Sequence, residues 1–247
     1  MNKSNDTIRS IEEQLSSMGL NSMADTLDSE YHSKEFADTD FLTLLSRIVE
    51  SEYQERINRR LRTHLRTAHL QGSPQELSKC VDSRDREYLP KNITATLSTL
   101  NFINDGLNIC ILGPSDSGKS YLAKALGIEA CLKYKVGYFH CETFLEEMVS
   151  LKQCDYAKYQ RRMKQHINKE LLILDDFLLH TLTDEREIKV LYELMEQRNV
   201  LCRSTIVCSQ REPNSWASMM LNDEVSANSI VKRATKHYTV VINPKEE

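Results

Sequence analysis

The stretch GPSDSGKS, residues 113–120, constrains this chain more than any other. It has the form G-x-x-x-x-G-K-[ST], a loop whose successive backbone N–H groups and following helix N-terminus hold an anion. Its flanks have the required form. LNICIL (107–112) reads as a buried strand, and SYLAKALGIEACLKY (120–134) has helical apolar spacing at Leu122, Ala123, Leu126 and Ala130. Gly113 and Gly118 let the backbone close around phosphates. The expected ligand is a nucleoside triphosphate, ATP with Mg²⁺, cradled by Gly113, Pro114, Ser115, Asp116, Ser117, Gly118, Lys119, Ser120 and Tyr121. Lys119 would reach the β- and γ-phosphates, and the Ser120 hydroxyl would sit on Mg²⁺.

The second half of the chain alternates strand and helix. VGYFH (136–140), LLILDDF (171–177), STIVCS (204–209) and YTVVI (238–242) join LNICIL as short apolar strands with helical segments between them. Five such strands predict an α/β fold with a parallel sheet covered by helices on both faces. In LLILDD, four apolar residues bury the strand and two carboxylates emerge at its C-terminal end, beside a phosphate loop in sheets of this kind. Asp175 would hold Mg²⁺ through water, and Asp176 would polarise the attacking water as general base. Asp176 is one methylene shorter than the glutamate many such ATPases use, which predicts slow hydrolysis. Ser209 and Gln210 end STIVCSQ where a γ-phosphate sensor is found in five-stranded ATPases, although many buried strands end in such residues. Arg233, on a helix before the last strand, is placed to reach a neighbouring subunit's γ-phosphate; a plain surface arginine fits the same spacing. Trp216, the only tryptophan, reads as packing.

Residues 1–72 read as a helical domain. Apolar residues from Ile8 to Leu27 form a helix broken near Gly19, and a longer helix begins at Asp40 with a stripe from Phe41 to Leu65. Its last third holds Arg56, Arg59, Arg60, Arg62 and Arg66 without an acid. Arg59, Arg62 and Arg66 share one face, which suits a nucleic-acid backbone and equally describes a solvated helix face. A second basic run at 158–169 includes Arg161, Arg162 and Lys164 with interleaved tyrosines, and the same two readings apply. Residues 73–91 are polar with two prolines and read as a linker, leaving 92–247 as the nucleotide-binding domain.

Bulk charge adds little, because 36 acidic and 32 basic residues announce no nucleic acid globally. Seven cysteines without a C-x-x-C pair, several inside apolar runs, predict a reduced, cytoplasmic protein with no zinc site. No apolar run reaches 18 residues, so no membrane partner is expected.

These residues resemble the IstB-type transposition helper ATPases, relatives of DnaC-type helicase loaders within the AAA+ class. The resemblance spans nearly the whole chain: LSSMGLNSMADTL, ESEYQERINRRLRTHLRTAHL, ILGPSDSGKSYLAKALGIEA, LLILDDF, STIVCSQREPNSW and the IVKR segment. The phosphate loop and LLILDD are shared by many ATPases, whereas the basic helix and the LGIEA continuation are narrower. The resemblance implies Asp175 as Mg²⁺ ligand, Asp176 as the catalytic acidic residue, Gln210 or Ser209 as sensor and Arg233 as a finger in trans. It also implies ATP-dependent homo-oligomerisation on duplex DNA and delivery of target DNA to a transposase or integrase. Two departures stand out: Asp116 replaces the usual glycine, and Gln210 a frequent asparagine. With 14 residues after Arg233, no C-terminal lid domain is expected. A replicative helicase loader is the alternative reading, and a nucleotide kinase a third that the missing lid disfavours.

Overall fold

The computed structural model describes residues 3–81, 85–221 and 223–244. They divide into two compact units, Met1–Thr63 and His64–Glu247.

The first unit is helical. α1 (Lys3–Ser17) and α2 (Asn21–Tyr31) are separated at Gly19, which takes φ 75° where a side chain would be strained. α3 (Phe41–Thr67) starts under Asp40, whose Oδ1 accepts the N–H groups of Leu42 and Thr43 at 3.0 and 3.1 Å. Ala24, Leu27 and Ile48 are buried, and Ser51 Oγ donates to the Ser22 carbonyl at 3.1 Å. The apolar stripe along α3 is largely open: Phe41, Leu45, Val49, Tyr53 and Ile57 are exposed. Three helices of this size have too little apolar surface of their own to cover that face.

The second unit is built on a sheet in the order β1-β6-β2-β5-β4-β3. β2 (Ile109–Leu112), β3 (Val136–His140), β4 (Leu171–Asp175), β5 (Ser204–Ser209) and β6 (Tyr238–Pro244) run parallel as expected. The sheet has six strands, not five. β1 (Arg86–Leu89) pairs antiparallel with β6, in the register Arg86↔Pro244 to Leu89↔Val241. This strand and α4 (Leu77–Val81) lie within the segment read as a linker. Four residues flanked by charges and a proline carry too short an apolar pattern to announce an edge strand. Two short helices lead into β2, α5 (Ile93–Ser98) and α6 (Asn101–Asn104), separated at Leu100 with φ 58°.

Alternation along the strands assigns the helices to faces. Ile173 meets the face of α7 (Lys119–Ala130), where a Cβ on Gly127 would lie 2.8 Å from Ile173 Cδ1. Leu172 and Leu174 point the other way, into a core shared with Phe144 and Met148 of α8 (Cys141–Cys154), Tyr159 and Met163 of α9 (Tyr156–Asn168), Leu191 and Leu194 of α10 (Glu185–Val200) and Ile230 of α11 (Glu224–Ala234). All seven cysteines are free thiols, and five of them are buried. No helix among the described residues is long and apolar enough to cross a membrane.

His166 is buried, edge-on to Phe139 and Phe144 at 4.9 and 5.1 Å, and its Nδ1 has no partner among the described residues. Burial pushes its pKa down to about 4, helped by the nearby charges of Lys169, Arg162 and Arg198 and by His69. The unfolded chain takes up this proton near pH ~6.5, well before the folded one does. Stability is therefore complete above that pH and is lost as pH falls from ~6.5 towards ~4, on the order of 2–3 kcal/mol. Urea denaturation across this range should show the loss, and a His166→Leu variant should have a flatter profile. An identical slope for the two proteins would remove His166 as the cause.

Candidate nucleotide-binding and hydrolysis site

The phosphate loop lies between β2 and α7; close packing explains Gly113 and backbone conformation explains Gly118. A Cβ on Gly113 would fall 2.5 Å from the Ile242 carbonyl oxygen and 2.6 Å from Ser117 Oγ. Gly118, the N-cap of α7, has φ 99°, and a Cβ there would fall 2.6 Å from Arg86 Nη1. Asp116, exposed within the loop, has φ 58°. That left-handed backbone explains why the resemblance puts glycine here, and aspartate is among the few other residues that tolerate it.

The loop is shaped for an anion. Ser117 is buried, and its hydroxyl has no partner among the described residues. Lys119 is 6% exposed, so its ammonium is held inside the site, where it donates to the Pro114 carbonyl at 2.5 Å. Burial lowers its pKa, opposed by the charges of Asp175, Asp176 and Asp116 among others. A buried cation, an orphan hydroxyl and a helix N-terminus together fit the β- and γ-phosphates of ATP. Ser120 and Asp175 carry hard oxygen atoms of the kind Mg²⁺ prefers and would be the residues to hold it.

The two carboxylates differ in setting. Asp175 closes β4 fully buried and accepts a hydrogen bond from the Tyr138 hydroxyl; its Oδ1 also accepts the Asp176 N–H at 3.0 Å. Burial, then the bond to Asp175, push the Tyr138 pKa up, so this phenol keeps its proton and remains a donor. Asp176 leaves the strand at φ 52°, partly exposed, with Oδ2 3.2 Å from His140 Nδ1. The buried member suits a fixed ligand and the open member suits water. The chain then returns to β5: Phe177 N–H donates to the Cys208 carbonyl at 2.7 Å, and Ser209 Oγ donates to the Phe177 carbonyl at 2.7 Å. Trp216 is fully buried, with Phe177 edge-on at 4.9 Å, as its packing role required. Ser209 is thus buried and engaged with backbone, while Gln210 emerges exposed at the strand's end.

Sequence reasoning passed over Tyr138 and His140. The available signal was the alternation in VGYFH, which puts both side chains on one face of β3 next to β4.

Arg233 lies at the other end of the sheet. Its carbonyl accepts from Asn108 Nδ2 at 2.8 Å, just before β2 begins, whereas the phosphate loop follows the end of β2. Its guanidinium bonds Glu196 and Ser229 and lies 5.9 Å from the Tyr192 ring centroid. The arginines of α3 are not without acids. Arg56 pairs with Glu52 at 2.9 Å, and Glu55 takes both Arg59 at 3.9 Å and Arg62 at 2.5 Å. These acids lie one or two turns before the arginines they pair with, just outside the stretch read as acid-free. Arg66 is exposed and forms no ion pair among the described residues. On α9, Arg161, Arg162 and Lys164 are exposed, and Arg162 lies 3.8 Å from Glu147.

Comparison with known proteins adds to this geometry. The family model described as "IstB-like ATP binding protein" matches residues 13–246. A protein described as an insertion sequence ATP-binding protein, y4pL of Sinorhizobium fredii, is 33% identical over 215 residues, covering 85% of this chain and 84% of the relative. One described as the ATP-binding protein Rv3427c in an insertion sequence of Mycobacterium tuberculosis is 27% identical over 236 residues, covering 93% and 90% of the two chains. Among solved structures, the replication initiator DnaA bound to AMPPCP and single-stranded DNA is similar with a TM-score of 0.55 and 23% identity, over 69% of this chain and 50% of that one. DnaI has a TM-score of 0.54 and 18% identity, over 69% and 92%. Likeness at this level of identity concerns the fold.

Proposed function

The chain belongs to the family of IstB-like ATP-binding proteins, and we propose from this that it is an ATP-dependent DNA-binding regulator of transposition. In this reading it assembles on duplex DNA as a homo-oligomer with ATP at subunit interfaces and delivers that DNA to a transposase. Hydrolysis would switch the assembly state. The observation that carries the reading is a phosphate loop next to one buried and one open carboxylate, in a chain matched by the family model over residues 13–246.

Each side chain then has a task. Lys119 neutralises the β- and γ-phosphates, and Ser120 and Asp175 hold Mg²⁺, which would offset phosphate charge in the reaction. Tyr138 fixes Asp175 by its hydrogen bond. Asp176 takes the proton of the attacking water, with His140 beside it. Gln210 is better presented than Ser209 to sense the γ-phosphate, because the Ser209 hydroxyl already serves the Phe177 carbonyl. Arg233 is remote from its own loop, which agrees with a role only towards a neighbour's nucleotide. Arg66, Arg161 and Lys164 are the exposed cations we propose for DNA, with Arg56, Arg59, Arg62 and Arg162 reaching phosphate by exchanging carboxylate partners. A reduced cytoplasmic setting goes with this function. A helicase-loader role is the alternative; the family model matched over residues 13–246 favours the transposition reading.

Sedimentation with ATP, Mg²⁺ and duplex DNA together tests the reading. The wild type should form DNA-bound assemblies, and Lys119→Ala should remain unassembled. If neither ATP nor a slowly hydrolysed analogue changes sedimentation with DNA present, the mechanism is wrong.

A further inference from the structure

β1 brings a guanidinium to the phosphate loop. The register Arg86↔Pro244 puts Arg86 at the C-terminal end of β6, and β6 runs parallel to β2, so Arg86 stands at the loop's end of the sheet. Contact is direct: a Cβ on Gly118 would lie 2.6, 2.8 and 3.1 Å from Nη1, Cζ and Nε of Arg86. The φ of 99° is what calls for glycine at Gly118, and the guanidinium lies in the space left by the missing side chain. Arg86 is half-buried and forms no ion pair among the described residues. Tyr88 hydrogen-bonds both Cys80 of α4 and the Arg86 side chain, so the guanidinium has a neutral partner and no carboxylate among the described residues. The residue before α4 is tied to α7 in turn, since the Glu76 N–H donates to the Tyr121 hydroxyl at 3.2 Å. A cation fixed against an anion-binding loop, with no carboxylate of its own, is matched when an anion enters. The buried, unpartnered Ser117 hydroxyl independently marks the same loop as made for a ligand.

Strand order gives the direction. β1 lies two strands from β2 on one side, and β4 with Asp175 lies two strands away on the other. The end of the nucleotide served by Asp175 and Asp176 is therefore directed towards β4. Its α-phosphate, ribose and base trail towards β1. We propose that Arg86 is a nucleotide-binding residue that engages the α-phosphate side of the bound nucleotide and so holds ATP and ADP alike. This rests on the nucleotide-site reading above. It would let the protein change state on hydrolysis without releasing ADP.

The test uses Arg86→Met, which keeps an unbranched stem over Gly118 and removes the charge. Equilibrium titration of the full chain with N-methylanthraniloyl-ATP and -ADP should show about tenfold weaker binding of both, the size of one charge-assisted contact. Arg86→Lys, with the charge retained, should fall between the wild type and Arg86→Met for both nucleotides. Unchanged affinity in Arg86→Met overturns the proposal, and so does a loss confined to ATP, which would put Arg86 at the γ-phosphate. A Lys variant as weak as the Met variant reduces Arg86 to packing. Failure of the underlying site reading looks different: the wild type binds neither nucleotide, or Lys119→Ala binds both as the wild type does.

Discussion

Asp176→Asn is expected to bind ATP with near-normal affinity and to turn it over at least about 10²-fold more slowly. The amide has the size of the carboxylate and cannot accept the proton of an attacking water. Backbone geometry is not disturbed, because asparagine tolerates the left-handed φ of 52° that Asp176 adopts. Asp175 and Tyr138 are untouched, so the buried side of the site keeps its hydrogen bond. Phosphate release measured beside equilibrium nucleotide binding separates the two effects. A variant that binds ATP and hydrolyses it at the wild-type rate would show that another group is the base.

The largest stability effect is expected at Arg198, which the sequence gives no reason to single out. It is 1% exposed in α10 and bonded on every nitrogen. Nη1 donates to the carbonyls of His166, Ile167 and Lys169 at 2.8, 3.1 and 2.8 Å, Nε donates to Thr205 Oγ1 at 2.9 Å, and Nη2 donates to the Ser204 carbonyl. One side chain therefore caps the end of α9 and fixes the start of β5, where helix carbonyls lack internal partners. Burial pushes its pKa down to about 9, which still leaves it cationic at neutral pH. Arg198→Met would leave several buried carbonyls unsatisfied, each worth ~1–3 kcal/mol, so a loss of about 4 kcal/mol or more is expected. Urea unfolding, or failure to accumulate as soluble protein, reads this out. A loss below about 1 kcal/mol would mean that water replaces the guanidinium.

What could be read in the chain differed by residue. The strands that frame the site were legible because each buries an unbroken apolar run, and LLILDD announced its carboxylates by placing them directly after four such residues. The edge strand β1 was not, since it is short and only half-buried along its length. The long helix α3 was legible as a helix and misleading as a packing element, for its stripe from Phe41 to Ile57 stays largely exposed. Periodicity reports which residues share a face, and it is silent on whether anything covers that face.

The sequence by itself determined the phosphate loop, because an anion site made of consecutive backbone N–H groups is written in consecutive residues. It also determined the parallel α/β class, through five buried strands separated by helices. Tertiary structure alone decided that Tyr138 holds Asp175, that His140 stands by Asp176, that Arg198 ties α9 to β5 and that Arg86 lies on Gly118. Their partners are distant in sequence except where Arg198 meets the start of β5. Strand order and register bring them together, and those are set by the packing of the whole sheet.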